Sequence, residues 1–282
     1  MDLSQPIKYF KLLWIWMALS SVVLIEPSPY DILFVPCLAI ACLFSYLSFY
    51  CYSLLPLVLL MLFVDANLIS LFFATRDVSG ATNFFLITLY LIFSWFLLIG
   101  LLQRYRQVVL EVIFSGYFVA ALIAATIGIA AYVGLIPQAE NFLYYERAMG
   151  FFKDANVYGP FLIPMVLYAM HKFELKQDVC QFIWILIIIL LSIGVLLSFS
   201  RAAWGNYFIS VFLYLSFPPW PPLKQRVRKM SIVLILLLFV LLFTLSQSDV
   251  SGLFSQRLGF QDYDNDRFGT QIASIRLAVE HP

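Results

Sequence analysis

Apolar residues arrive in long blocks with short polar breaks between them. The blocks are too long for the alternation of a half-buried strand and too uniform for the one-sided stripe of a water-facing helix. A helix that crosses a bilayer needs about 20 mostly apolar residues, because the hydrocarbon core is about 30 Å thick and a helix rises about 1.5 Å per residue. By that measure about nine stretches predict spanning helices: residues 9–25, 32–50, 54–74, 84–102, 112–136, 157–170, 182–199, 202–217 and 232–245. The predicted class is an all-α integral membrane protein with a single polytopic domain over residues 1–282, its N-terminal spans over 9–136 and a second part over 137–282. Lys8 and Lys11 precede a full-length apolar run with no small-residue cleavage site after it, so the first stretch predicts a retained span and not a signal peptide.

Composition sharpens this picture. Of 282 residues, 63% are hydrophobic and only 12% charged, which excludes a soluble globular domain. Seventeen Lys and Arg against sixteen Asp and Glu leave a formal charge of +1, so no basic excess is present to hold a nucleic-acid backbone. Membrane lipids, not nucleic acids, are the expected surroundings. Cys37, Cys42, Cys51 and Cys180 lie in or beside apolar runs without paired CxxC spacing, so neither a zinc site nor a disulfide framework is predicted.

Lys and Arg are retained preferentially on the cytoplasmic side, which gives the spans an orientation. With the N-terminus cytoplasmic, that side receives Lys8, Lys11, Arg104, Arg106, Lys172, Lys176, Lys224, Arg226, Arg228 and Lys229. The outer side receives Arg76, Arg147, Lys153, Arg201, Arg257, Arg267 and Arg276, of which all but one are arginine. Planar bidentate donors placed against the topology bias point to a site for an anionic ligand. Pairing with the outer acids Glu140, Glu146, Asp154, Asp262, Asp264 and Asp266 is the competing explanation. The longest polar segments, 137–156 and the tail after 246, also fall outside, and function is expected there. The cytoplasmic run Phe-Pro-Pro-Trp-Pro-Pro-Leu-Lys at 217–224 reads as a stiff connector and basic anchor without chemistry of its own.

Two motifs carry candidate chemistry. Residues 146–162 read Glu-Arg-Ala-Met-Gly-Phe-Phe-Lys-Asp-Ala-Asn-Val-Tyr-Gly-Pro-Phe-Leu, in which Asp154 or Asn156 can cap a helix starting near Val157, while Gly150 and Gly159 permit close backbone approach. A capped re-entry loop explains Asn156 and Gly159 but gives no reason for Arg147 and Lys153 on the disfavoured side. Residues 197–204 read Leu-Ser-Phe-Ser-Arg-Ala-Ala-Trp, placing Arg201 at a turn between two apolar spans, where a guanidinium is costly unless it meets a cavity or a partner. A snorkelling Arg201 with Trp204 as an interfacial aromatic is the plainer account.

These two motifs, followed by Asp-Arg-Phe-Gly at 266–269 and a closing His281-Pro282, resemble the O-antigen ligase and polymerase superfamily of bacterial envelopes, most strongly from Arg147 onward. The resemblance implies a multi-pass glycosyltransferase of the bacterial inner membrane with about a dozen helices. Such an enzyme transfers glycan from an undecaprenyl-diphosphate carrier to a glycan or lipid acceptor at the periplasmic face, inverting and without a metal or other cofactor. It would serve lipopolysaccharide or other cell-envelope polysaccharide biosynthesis. Residue by residue it implies catalytic roles for His281 as base and for Arg201 and Arg267, and substrate binding by Arg147, Lys153, Asn156 and Arg276. Position 271 is Gln where the family commonly has an aromatic. The family also continues past its His-Pro into a Gly-x-Gly element and more spans, so the sequence is expected to be C-terminally incomplete. Periodicity over 270–280 independently predicts an amphipathic helix that stops abruptly.

Other chemistries find less support. No Walker-type lysine loop, His-Glu-x-x-His or cytoplasmic Asp-x-Asp is present. Asp262-Tyr-Asp-Asn-Asp reads as a solvated loop before it reads as a cation site. Asp65, Asn67 and Glu111 are the conspicuous polar residues within or at the edges of spans, and Asp65 marks either an ion path or an interhelical hydrogen bond. A transporter or flippase for an anionic or lipid-linked substrate is the alternative function, although no pair of broken helices or internal half-repeat is evident.

Overall fold

The computed structural model describes residues 7–73, 78–175, 180–216, 262–280 and the single residues 231, 235 and 252. The chain is mostly helical there. Among the described residues two helices are long and apolar enough to cross a membrane, α3 (Leu54–Phe73) and α4 (Val78–Tyr132). The other helices are α1 (Ile7–Ala18), α2 (Pro29–Leu43), α5 (Ala155–Leu175), α6 (Cys180–Leu197), α7 (Arg201–Ser216) and α8 (Asp262–Glu280). Leu55, Leu62, Phe72 and Phe73 of α3 are all exposed, and none of its described residues is buried. An all-round apolar helix suits hydrocarbon and not water. Apart from residue 235, the predicted span at 232–245 lies outside the described residues.

Residues 1–120 and 121–282 form two compact units. In the first, Tyr9, Leu13, Trp16 and Met17 line one face of α1 at helical spacing and pack with Phe34, Cys37 and Ala41 of α2 and with Leu97 and Leu101 of α4. Trp16 stacks on Tyr30 at 4.9 Å and its Nε1 donates to the Tyr30 carbonyl at 3.0 Å, so the indole is buried without losing its hydrogen bond.

The first two predicted spans end early as helices, for local reasons. Helix α1 stops at Ala18, where Ser20 Oγ donates to the Met17 carbonyl at 2.7 Å and the Ser20 N–H turns to the same oxygen at 3.2 Å. Helix α2 stops at Leu43 in a reverse turn: the Tyr46 N–H bonds the Ala41 carbonyl at 2.8 Å, the Ser45 N–H bonds that of Cys42 at 3.1 Å, and Ser45 is left-handed at φ 51°. Because a side chain is strained in that region, Ser45→Gly is expected to raise stability by about 0.5–1 kcal/mol, checked by denaturant unfolding in detergent.

The predicted spans at 84–102 and 112–136 fall on α4, which is two helical segments meeting at a kink at Arg106, whose φ 35° and ψ −97° are not helical. Asn67 settles within its own helix, donating to the Phe63 carbonyl at 2.7 Å, and Asp65 is exposed.

In the second unit α5 packs against α6 and α7. The segment before α5 is not a plain loop. After a 3₁₀ turn at Ala139–Phe142 it forms a hairpin, with β1 (Leu143–Tyr144) antiparallel to β2 (Arg147–Ala148) and Tyr144 opposite Arg147. Tyr145 and Glu146 at its tip both have positive φ, 46° and 62°, as a two-residue primed turn requires. Helix α8 corrects the reading of 262–266 as a loop: the helix begins at Asp262. Its residues 268–280 are exposed throughout.

Candidate functional site

The two motifs singled out in the sequence meet in the second unit. Ser198, Phe199 and Ser200 link α6 to α7, and each is nearly fully buried. Phe199 takes φ 46°, reversing the chain. The Ser200 N–H donates to Ser198 Oγ at 3.3 Å, and Ser200 Oγ accepts from the Ala203 N–H at 3.4 Å, capping the first turn of α7 that Arg201 opens. Trp204 is buried, packs on Phe199 at 6.2 Å, and donates from Nε1 to the Leu196 carbonyl at 3.2 Å, satisfying one acceptor at the end of α6. It is therefore part of the turn and not an interfacial belt residue.

Arg147 holds this turn from β2. Only 5% of it is exposed; its Nε donates to the Ser198 carbonyl and one Nη donates to Asn156 Oδ1, both at 2.8 Å. One guanidinium thus joins the hairpin, the start of α5 and the link between α6 and α7. The cap left open between Asp154 and Asn156 goes to Asp154, whose Oδ1 accepts the Asn156 N–H at 2.8 Å, leaving the Asn156 amide oxygen to receive Arg147. Lys153 is exposed just ahead of that cap, and Arg201 is partly exposed.

Close approach here requires glycine. A Cβ at Gly159 would meet Ser198 Oγ at 2.6 Å and Ala203 Cβ at 2.7 Å, so α5 touches α7 and the turn with nothing between. Gly150 has φ 57° and a Cβ there would sit 3.1 Å from the Ala124 carbonyl. The Tyr158 hydroxyl is buried without a hydrogen-bond partner among the described residues, against the faces of Gly128 and Gly194. Tyr158→Phe is accordingly expected to leave stability unchanged or raise it by about 1 kcal/mol, since it deletes an unsatisfied buried polar group; a loss above that size in thermal or denaturant unfolding would contradict the packing described.

The structure therefore brings together Arg147, Asn156 and the turn leading into Arg201, with Lys153 on the adjoining segment. It does not bring Arg276 to them: that residue is exposed on α8. Arg267 also lies on α8, but only its backbone is described, and His281 lies outside the described residues. Glu174 was missed by sequence reasoning. It is 4% exposed near the end of α5 and accepts from the Tyr214 hydroxyl at 2.7 Å, yet in sequence it looks like one more acid beside the basic Lys172 and Lys176. No protein-family model, curated protein or solved structure matches the chain.

Proposed function

We propose that the chain is a multi-pass glycosyltransferase of the O-antigen ligase and polymerase type, in the bacterial inner membrane with about nine spans and a cytoplasmic N-terminus. It transfers glycan from undecaprenyl diphosphate to an acceptor hydroxyl on the outer face. The observation that supports this reading is the buried Arg147, which fastens the turn ahead of Arg201 to the start of α5. Two of the motifs that carry the family resemblance, at 146–162 and 197–204, thereby act as one structural unit.

The chemistry needs two things. The acceptor oxygen attacks the anomeric carbon, the bond from that carbon to the phosphate oxygen breaks, and undecaprenyl diphosphate leaves with the electron pair while a base takes the hydroxyl proton. Attack opposite the leaving group inverts the anomeric centre. Negative charge grows on the diphosphate, and guanidinium or ammonium groups held in place before the reaction lower that barrier. Arg201 and Lys153 serve that role here, and Arg147 positions the turn ahead of Arg201. His281 is the base, imidazole being the side chain best suited to proton transfer near neutrality.

The test is glycan transfer in proteoliposomes supplied with a polyprenyl-diphosphate-linked glycan. Arg201→Gln is expected to cut turnover about 10²- to 10³-fold, and Arg201→Lys less, because it keeps charge and loses the planar fork. Transfer unaffected by Arg201→Gln would overturn the reading, as would movement of the lipid-linked glycan across the bilayer without any transfer, which is the behaviour of a transporter.

A further inference from the structure

The hairpin ahead of α5 carries a strain that its turn does not require. A two-residue primed turn needs φ above zero at both tip positions, which Asn-Gly supplies freely. Here Tyr145 and Glu146 occupy those positions, at φ 46° and 62°, although side chains of their size are strained there. Strain of this kind gathers where a side chain serves a ligand.

The tip side chains are presented outward. Tyr144 and Tyr145 are 40% and 77% exposed, and their rings meet edge to face with centroids 4.7 Å apart. Exposed Glu146 follows them directly. The base of the hairpin is held firmly: the Met149 and Gly150 N–H groups both donate to the Phe142 carbonyl, at 3.1 and 3.2 Å, Phe142 packs edge to face on Phe151 at 5.5 Å, and Arg147 ties β2 to Ser198 and Asn156. Two rings on a fixed support lose little conformational freedom when a partner covers them. Tyr145 precedes Arg147 by two residues, a span of at most about 7 Å, so the tip stands beside the residue that braces the turn ahead of Arg201.

Charge narrows the ligand. Residues 138–146 hold Glu140 and Glu146, both exposed, and no cation. Carboxylates repel a diphosphate and the anionic headgroups of a bilayer, but they accept hydrogen bonds from neutral hydroxyls. A sugar ring offers both halves of what the tip can bind, an apolar C–H face for an aromatic ring and hydroxyls for a carboxylate. We propose that the hairpin tip binds neutral sugar residues of the glycan, on the rings of Tyr144 and Tyr145 with Glu146 as hydroxyl acceptor. The choice of a glycan over other neutral ligands rests on the transferase reading, in which the anionic carrier itself stays with Arg201 and Lys153.

Native mass spectrometry of the full chain in detergent tests this, with three probes: undecaprenyl diphosphate, the same carrier bearing a neutral tetrasaccharide of hexose and N-acetylhexosamine, and the free tetrasaccharide. The sugar-bearing carrier is expected to bind about five- to tenfold tighter than the bare one, the factor for one well-placed aromatic contact. Tyr145→Gly is expected to remove most of that preference while leaving bare-carrier binding unchanged and the melting temperature equal or higher, because glycine takes the positive φ without strain. A loss of sugar binding in a protein at least as stable cannot come from a damaged hairpin. Tyr145→Ala is expected to match the glycine variant, and Tyr145→Phe to keep the preference. Equal binding of both carriers by the unaltered chain, as expected of a tip buried among lipid headgroups, overturns the proposal, as does a preference that survives Tyr145→Gly and Tyr145→Ala. Free tetrasaccharide bound in a Tyr145-dependent way, with neither carrier binding better than it, supports the hairpin site and overturns the carrier reading instead.

Discussion

Replacing Arg147 with methionine is expected to lower the unfolding free energy by about 3 kcal/mol, because two hydrogen bonds from a charged donor contribute about 1.5–3 kcal/mol each and water recovers only part of the loss at a buried site. Methionine fills much of the same volume, so the effect reports lost hydrogen bonds more than a cavity. The Ser198 carbonyl loses its charged donor, and the α6–α7 turn loses its tie to the start of α5. Arg147→Lys should fall between, since a compact ammonium cannot reproduce the fork that spans Ser198 and Asn156. Denaturant unfolding in detergent measures this, and a change under about 1 kcal/mol for methionine would mean that the guanidinium does not brace the turn.

Gly159→Ala is expected to cost about 2–3 kcal/mol, at the upper end for a single added methyl, since the new carbon would lie inside contact distance of both Ser198 Oγ and Ala203 Cβ. The serine hydroxyl can rotate away, but doing so breaks its bond to the Val195 carbonyl at 2.6 Å. The Ala203 methyl cannot rotate away. Moving the missing methyl to the other helix, in Gly159→Ala with Ala203→Gly, should recover at least about 1 kcal/mol relative to the sum of the single effects. Additive single effects would show that the two helices do not meet at these atoms.

How much of this was legible in the sequence varied with the kind of signal. Helices α3, α6 and α7 fall on the stretches predicted at 54–74, 182–199 and 202–217, because each is a mostly apolar run bounded by residues that stop or cap a helix, such as Ser200. The ends of α1 and α2 were not legible. There the apolar run continues past the helix, and the stops are a serine bonded back to Met17 and a serine in the left-handed region, neither of which stands out in a sequence whose helices also carry serines such as Ser94 and Ser192. The break at Arg106 has no Gly or Pro to announce it, and the hairpin tip is Tyr145-Glu146 where Asn-Gly would have signalled the turn. Candidate residues Arg147, Asn156 and Arg201 could be selected by charge and position. That Arg147 reaches a carbonyl 51 residues away could not, since one sequence records no contacts.

Photocrosslinking with a polyprenyl-diphosphate probe whose reactive group sits beside the diphosphate, in membranes holding the full chain, tests most directly whether the braced turn is the donor site. Label is predicted in peptides covering 147–156 and 198–204, lost on adding unlabelled undecaprenyl diphosphate and strongly reduced in Arg201→Gln. Label confined to other peptides, or label at the turn that competitor does not displace, would contradict the assignment of this site to the glycan carrier.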